Sequence, residues 1–301
     1  MSAHPPTSAN TPLSRTDAAK VADSLASKAR LYEPLSADTD FSTTEDEVFR
    51  SQVNDIYALP VDSRDAIYLA FSAKHLPALA TALRSLHHTT QPLALSSCVL
   101  LLCHLPAVDR GNVYLRTFLT SDSARGIGTI VARAWCDGLA PNKEHPLGPG
   151  TLSAFLIAAL FWSPPAWGDD DTASIDKAER ARMTEKLSAI IAELPAEIPG
   201  GMKPGVGPPP PERFVWLDTK RLERILQGID HVPEFIASSQ EQLKMKAMDE
   251  TLLCAVCLEG DDDGKEVTRC SRCKHTVYCS AQCQKKDWKT HKLRCFTPPP
   301  Q

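Results

Sequence analysis

The chain has 301 residues, 43% of them hydrophobic, and a formal charge of -4. That length allows one large or two modest domains, and the mildly acidic balance removes any chain-wide electrostatic reason to expect nucleic acid or an anionic membrane as partner. The longest apolar runs, around residues 154–162 and 99–103, fall well short of the roughly 18 to 20 residues that cross a bilayer, so they are expected to be buried helices.

Taken in chain order, residues 1–14 hold no apolar stretch behind their few charges. They are expected to be disordered and not a secretory signal, which puts the cysteines in a reducing compartment, cytoplasm or nucleus. Residues 15–194 have helical periodicity almost throughout. Ala18, Val21, Leu25, Ala29 and Tyr32 make one stripe, and Met183, Leu187, Ile190, Ile191 and Leu194 make another. Between them, helices are predicted near 46–58, 62–73, 76–88, 92–104, 121–138 and 151–162, several begun by Pro or by Ser, Thr or Asp caps. Residues 195–213, PAEIPGGMKPGVGPPPPER, read as a linker or long loop. Residues 214–253 return to helix, with a stripe of Leu222, Ile225, Leu226 and Ile229 and a segment, 234–253, running directly into Cys254.

The fold class expected is mainly α, a helical bundle or an irregular armadillo-like solenoid, followed by a small C-terminal metal-binding unit. Cys98, Cys103 and Cys136 stand in apolar surroundings and are expected to be core residues.

The other seven of the ten cysteines lie between Cys254 and Cys295. They read as CAVC, then CSRC, then CSAQC, and His291 closes the set in HKLRC. Four chelating pairs supply eight soft or borderline ligands, enough for two closed tetrahedral zinc sites: Cys254, Cys257, Cys270, Cys273, Cys279, Cys283, His291 and Cys295. A disulfide framework fits poorly with an odd number of cysteines and a reducing compartment. The segment has too few large apolar side chains for a core of its own, whereas structural zinc contributes roughly 10 to 16 kcal/mol per site. Spacing alone leaves the pairing of ligands into sites open.

This pattern, with Tyr278 before Cys279 and Trp288 three residues before His291, resembles the MYND zinc finger over the finger's full length. The resemblance implies an interleaved arrangement: Cys254, Cys257, Cys279 and Cys283 on one zinc, Cys270, Cys273, His291 and Cys295 on the other. His275 is then left over, with a solvent-exposed or supporting role. The resemblance also implies a protein-interaction module for proline-rich peptides, with Gln282, Lys285 and Trp288 as the contact residues, and residues 208–211 or 298–300 of this chain as possible ligands of the same kind.

Nucleic acid is not expected to bind the finger, because its basic side chains are balanced by acidic ones and by thiolates. No nucleophile elbow, phosphate loop or HExxH motif occurs. The Gly-x-Gly at Gly126-Ile127-Gly128 is a weak cofactor signal in helical surroundings. The expected role is therefore a non-enzymatic adaptor. A nuclear transcriptional regulator using the same finger is the alternative, and a diverged lysine methyltransferase is a more distant one.

Overall fold

The computed structural model describes residues 13–106, 108, 111–137, 153, 155–160, 175–193, 196, 211–231, 252–260 and 267–298, together with 238, 241, 242 and 245. Most of the expected 195–213 linker and of the 234–253 helix lies outside the described residues, as do residues 208–210 and 299–300.

The architecture is mainly α. The helices are α1 (Arg15–Lys28), α2 (Thr43–Tyr57), α3 (Val61–Ser85), α4 (Pro92–His104), α5 (Val113–Leu119), α6 (Ile127–Asp137), α7 (Lys177–Glu193) and α8 (Pro211–His231). The finger then supplies a two-stranded antiparallel ribbon, β1 (Thr268–Arg269) and β2 (Val277–Tyr278), and a last helix, α9 (Ala281–His291). α3 packs on α1, α4, α5 and α6, while α7 joins α6 to α8. One helix surrounded by several others is the packing of an irregular bundle, since a solenoid repeat would meet only its neighbours. Residues 155–160, helical and fully buried among the core side chains, and α4 with its run from Val99 to Cys103 both lie inside, as expected. So do Cys98, Cys103 and Cys136.

Local chemistry explains where the helices start. Ser14 caps α1 by accepting the Asp17 N–H, so order begins before residue 15. Ser42 and Glu45 form a reciprocal capping box that starts α2 at Thr43, three residues earlier than periodicity alone indicates. The first N–H groups of α4 are satisfied from a distance, by the Asp40 carboxylate on Leu93 and Ala94 at 2.9 Å each. The 121–138 helix is in fact a short 3-10 turn, Asp122–Ala124, then a break at Gly126 with φ +77°, then α6.

Two further expectations need correction. The segments 62–73 and 76–88 are one helix, α3, continuous through Pro77. Pro77 faces solvent, so the lost backbone bond and the ring's displacement of the preceding turn are accommodated at the surface. Joined in this way, α3 becomes long and apolar enough to cross a bilayer by length and composition, but 72% of its apolar window is buried inside the fold, the environment of a core helix. Tyr32 does not extend the α1 stripe, because α1 stops at Lys28 and Arg30 takes a left-handed φ of 50°. Tyr32 is 60% exposed, and its hydroxyl instead meets His75 Nδ1 at 2.7 Å.

α5 has no counterpart in the sequence reading, and it is the element that positions the finger. Asn112, fully buried, accepts the Leu115 N–H at 3.1 Å and donates to Ser72 Oγ on α3 and to the Pro106 carbonyl at 3.1 and 2.9 Å. The N-terminus of α5 is thereby fixed to the central helix.

Candidate metal centres

Each Cys-x-x-Cys pair sits in the same small turn. Cys254 donates its N–H to Glu259 O, and Leu258 N–H returns to Cys254 O, both at 2.9 Å; Cys270 N–H goes to Thr276 O at 2.8 Å, and Lys274 N–H returns to Cys270 O at 3.0 Å. The residue after the second cysteine is left-handed in both turns, Leu258 at φ 61° and Lys274 at φ 63°. A left-handed non-glycine residue costs about 1 to 2 kcal/mol, so two of them in one small unit require a strong compensating interaction. Ala255 N–H bonds Val277 O at 3.0 Å and ties the first turn to β2.

β2 delivers Cys279, and α9, capped by Ser280 on the Cys283 N–H at 3.2 Å, delivers Cys283 from its first turn and His291 from its last. Cys254, Cys257, Cys279 and Cys283 converge as one group, and Cys270, Cys273, His291 and Cys295 as the other, with the ligand atoms of each within 4.8 Å of one another. This is the interleaved pairing that the resemblance implies.

The distances fit a tetrahedral zinc ion in each group. Cys257 and Cys279 sulfurs are 3.5 Å apart, Cys279 and Cys283 3.6 Å, Cys270 and Cys295 3.7 Å, and Cys273 Sγ lies 3.6 Å from His291 Nε2. Zinc–sulfur bonds of about 2.3 Å at tetrahedral angles place ligand atoms roughly 3.8 Å apart, whereas a disulfide needs about 2.05 Å. The two groups therefore fit two zinc ions. The thiols also need a cation. Burial opposes ionisation of Cys254, yet the backbone N–H groups of Cys257, Cys279 and Val256 hold its pKa down at about 6. Although the Glu259 backbone N–H favours the Cys257 thiolate, burial and the adjacent Cys279 and Cys254 push it up to about 12. Four thiols this close cannot all ionise unaided, and a dication resolves that conflict.

The two centres differ in their surroundings. All four ligands of the second are buried; in the first only Cys254 is, and Cys257 is exposed. The second centre is backed by neighbouring side chains. Thr276 Oγ1 lies 3.2 Å from His291 Nδ1, which leaves Nε2 as the ligand atom. Tyr278, buried, donates its hydroxyl to Asp287 at 2.7 Å and stands edge-on to His291.

The second centre also touches the bundle. Tyr114 of α5 accepts the Phe296 N–H at 2.8 Å, and its hydroxyl lies 3.0 Å from both the Arg294 and the Phe296 carbonyls, on either side of the ligand Cys295. His275, expected to be exposed or supporting, is half-buried with its ring edge-on to Tyr114 at 5.0 Å, while its backbone N–H donates to the Cys273 sulfur. A cleft of about 210 Å³ remains between α5 and α9.

Gln282, Lys285 and Trp288 stand on the outer side of α9, and all three are exposed, Trp288 to 38%. The Trp288 and His291 ring centroids are 5.9 Å apart, so Trp288 packs beside the second centre while part of its ring reaches solvent.

Residues 254–295 match the family model described as the MYND finger. Among curated proteins, the chain is 45% identical over 47 residues to a SET and MYND domain-containing protein of Dictyostelium discoideum, covering 15% of this chain and 9% of that protein. It is 52% identical over 48 residues to ubiquitin carboxyl-terminal hydrolase 19 of Arabidopsis thaliana, 15% of this chain and 6% of that one. It is 46% identical over 44 residues to the histone-lysine N-methyltransferase SMYD3 of Homo sapiens, 15% and 10%. The chain thus spans a tenth or less of the length of these relatives, and only its finger is shared with them. No solved structure matches.

Proposed function

We propose that this chain is an intracellular, non-catalytic adaptor whose finger recruits protein partners through proline-rich segments. Both zinc centres are closed by four protein ligands, which leaves no position for water or substrate and makes the metal structural. Thiols held as metal ligands, not as disulfides, belong in cytoplasm or nucleus. The observation that carries the reading is the outer face of α9, where Trp288 offers a partly exposed ring flanked by Gln282 and Lys285. A flat aromatic surface suits the ridge of a polyproline II helix, which reaches it already extended and loses little entropy on binding. The matched relatives share the finger in otherwise different proteins, as expected of a portable interaction module.

The test is titration of the zinc-loaded full chain with a labelled proline-rich peptide, followed by fluorescence anisotropy. Saturable binding that Trp288→Ala weakens at least tenfold, with zinc content unchanged, supports the assignment. Equal binding by the native chain and the variant removes the face from the interaction.

A further inference from the structure

α9 has two unlike sides. At 100° per residue, Cys283, Asp287 and His291 fall on one side and turn inward to the zinc centres and to Tyr278. Lys285, Lys289 and Lys292 fall within a narrow arc on the opposite side, beside Trp288, and all are exposed. With a rise of about 1.5 Å per residue, these three ammonium groups are spread over roughly 10 Å along the helix.

None of the three has a carboxylate partner among the described residues. In the bundle, by contrast, several cations are paired: Arg50 with Asp46, Lys74 with Asp23, Arg133 with Glu179 and Arg182 with Asp137, at 2.6 to 2.9 Å. Asp287, the one acidic residue of α9, faces away from the lysines, held by the Tyr278 hydroxyl. Among the described residues, the outer face of α9 therefore carries three exposed cations with no carboxylate paired to them. This is an arrangement for attracting an anionic partner, not a balanced solvated surface.

We infer that the segment bound by this face is an acidic proline-rich peptide, with Glu or Asp beside the prolines to meet Lys285, Lys289 and Lys292 while the prolines lie on Trp288. The inference rests on the proposed peptide-binding role and specifies its ligand. A peptide fits better than nucleic acid because the lysines form one short row alongside an aromatic ring. A duplex would demand a broader basic footprint, and the zinc-bound thiolates of the same finger carry net negative charge.

Three labelled peptides with one proline core, flanked by glutamates, by glutamines or by lysines, separate the possibilities on the zinc-loaded full chain. The glutamate peptide should bind about tenfold tighter than the glutamine peptide at low salt, with the lysine peptide weakest. The gap should shrink as salt is raised, because these charges are exposed. Lys285→Glu/Lys289→Glu, with zinc content and circular dichroism unchanged, should reverse the order of the glutamate and lysine peptides. Equal binding of all three would overturn the acidic preference and leave the proline-binding role standing; binding of none would remove that role itself. Displacement of the glutamate peptide by a short DNA or RNA duplex at lower concentration than unlabelled peptide would overturn the inference in favour of nucleic acid.

Discussion

Thr276 belongs to neither ligand set, yet its hydroxyl on His291 Nδ1 fixes which ring nitrogen faces the metal. Replacing it with Val should lower zinc affinity at the second centre by about tenfold or more, read by competition with a chromogenic chelator. His75 is a second residue whose role is set by its surroundings. It is buried with Nε2 2.9 Å from Asp23 and Nδ1 against the Tyr32 hydroxyl, and burial holds its pKa below the ordinary 6.5 despite the opposing pull of Asp23. Below about pH 6.5 the unfolded chain therefore takes up a proton that the folded chain refuses, so stability falls on acidification from there down to the depressed folded pKa. His75→Gln should flatten that loss. The check is the urea midpoint of both proteins at pH 7.0 and 5.5, and equal pH slopes would contradict it. At this scale the sequence was partly legible. The eight ligands announce themselves by spacing and residue type, whereas Thr276 and Tyr114 have no spacing signature because their partners arrive from other turns and helices.

Among the elements, α5 and α3 show what periodicity misses. α5 is only seven residues long, too short for a recognisable stripe, and it forms because Asn112 caps it against α3. It matters out of proportion to its length, since Tyr114 holds the backbone on both sides of Cys295 from 180 or more residues away in sequence. Tyr114→Phe should cost roughly 1 to 3 kcal/mol in chemical denaturation, because it leaves the Phe296 N–H and a neighbouring carbonyl without a buried partner. The expected gap between 73 and 76 is absent from α3, which runs on through Pro77 with the proline pointing outward. Pro77→Ala supplies the missing backbone N–H inside α3, so it should stabilise the chain by about 1 to 3 kcal/mol in the same assay, and a lowered denaturation midpoint would contradict this.

For the whole molecule, the two centres play different parts. The second is buried against the bundle and the first is open at Cys257. A chelator should therefore strip zinc in two phases, the faster one from the first centre. Complete removal should melt the finger while leaving most of the helical circular dichroism, because the bundle has a core of its own around α3. A helical bundle with a metal finger was readable from composition, the 3.6-residue period and the cysteine spacing. A helix over 234–253 running into Cys254 implies a finger held close to the bundle, but the residues that join them were not readable, because contacts between distant segments leave no local pattern.

This finger is built on two closed, interleaved sites that fit zinc. The most direct test is the metal content of the purified full chain by native mass spectrometry, alongside Cys279→Ala and Cys295→Ala. The native chain should carry two zinc ions, Cys279→Ala should retain one at the bundle-backed centre, and Cys295→Ala should lose at least that centre's ion. One zinc or none in the native chain, or two in either variant, would contradict it.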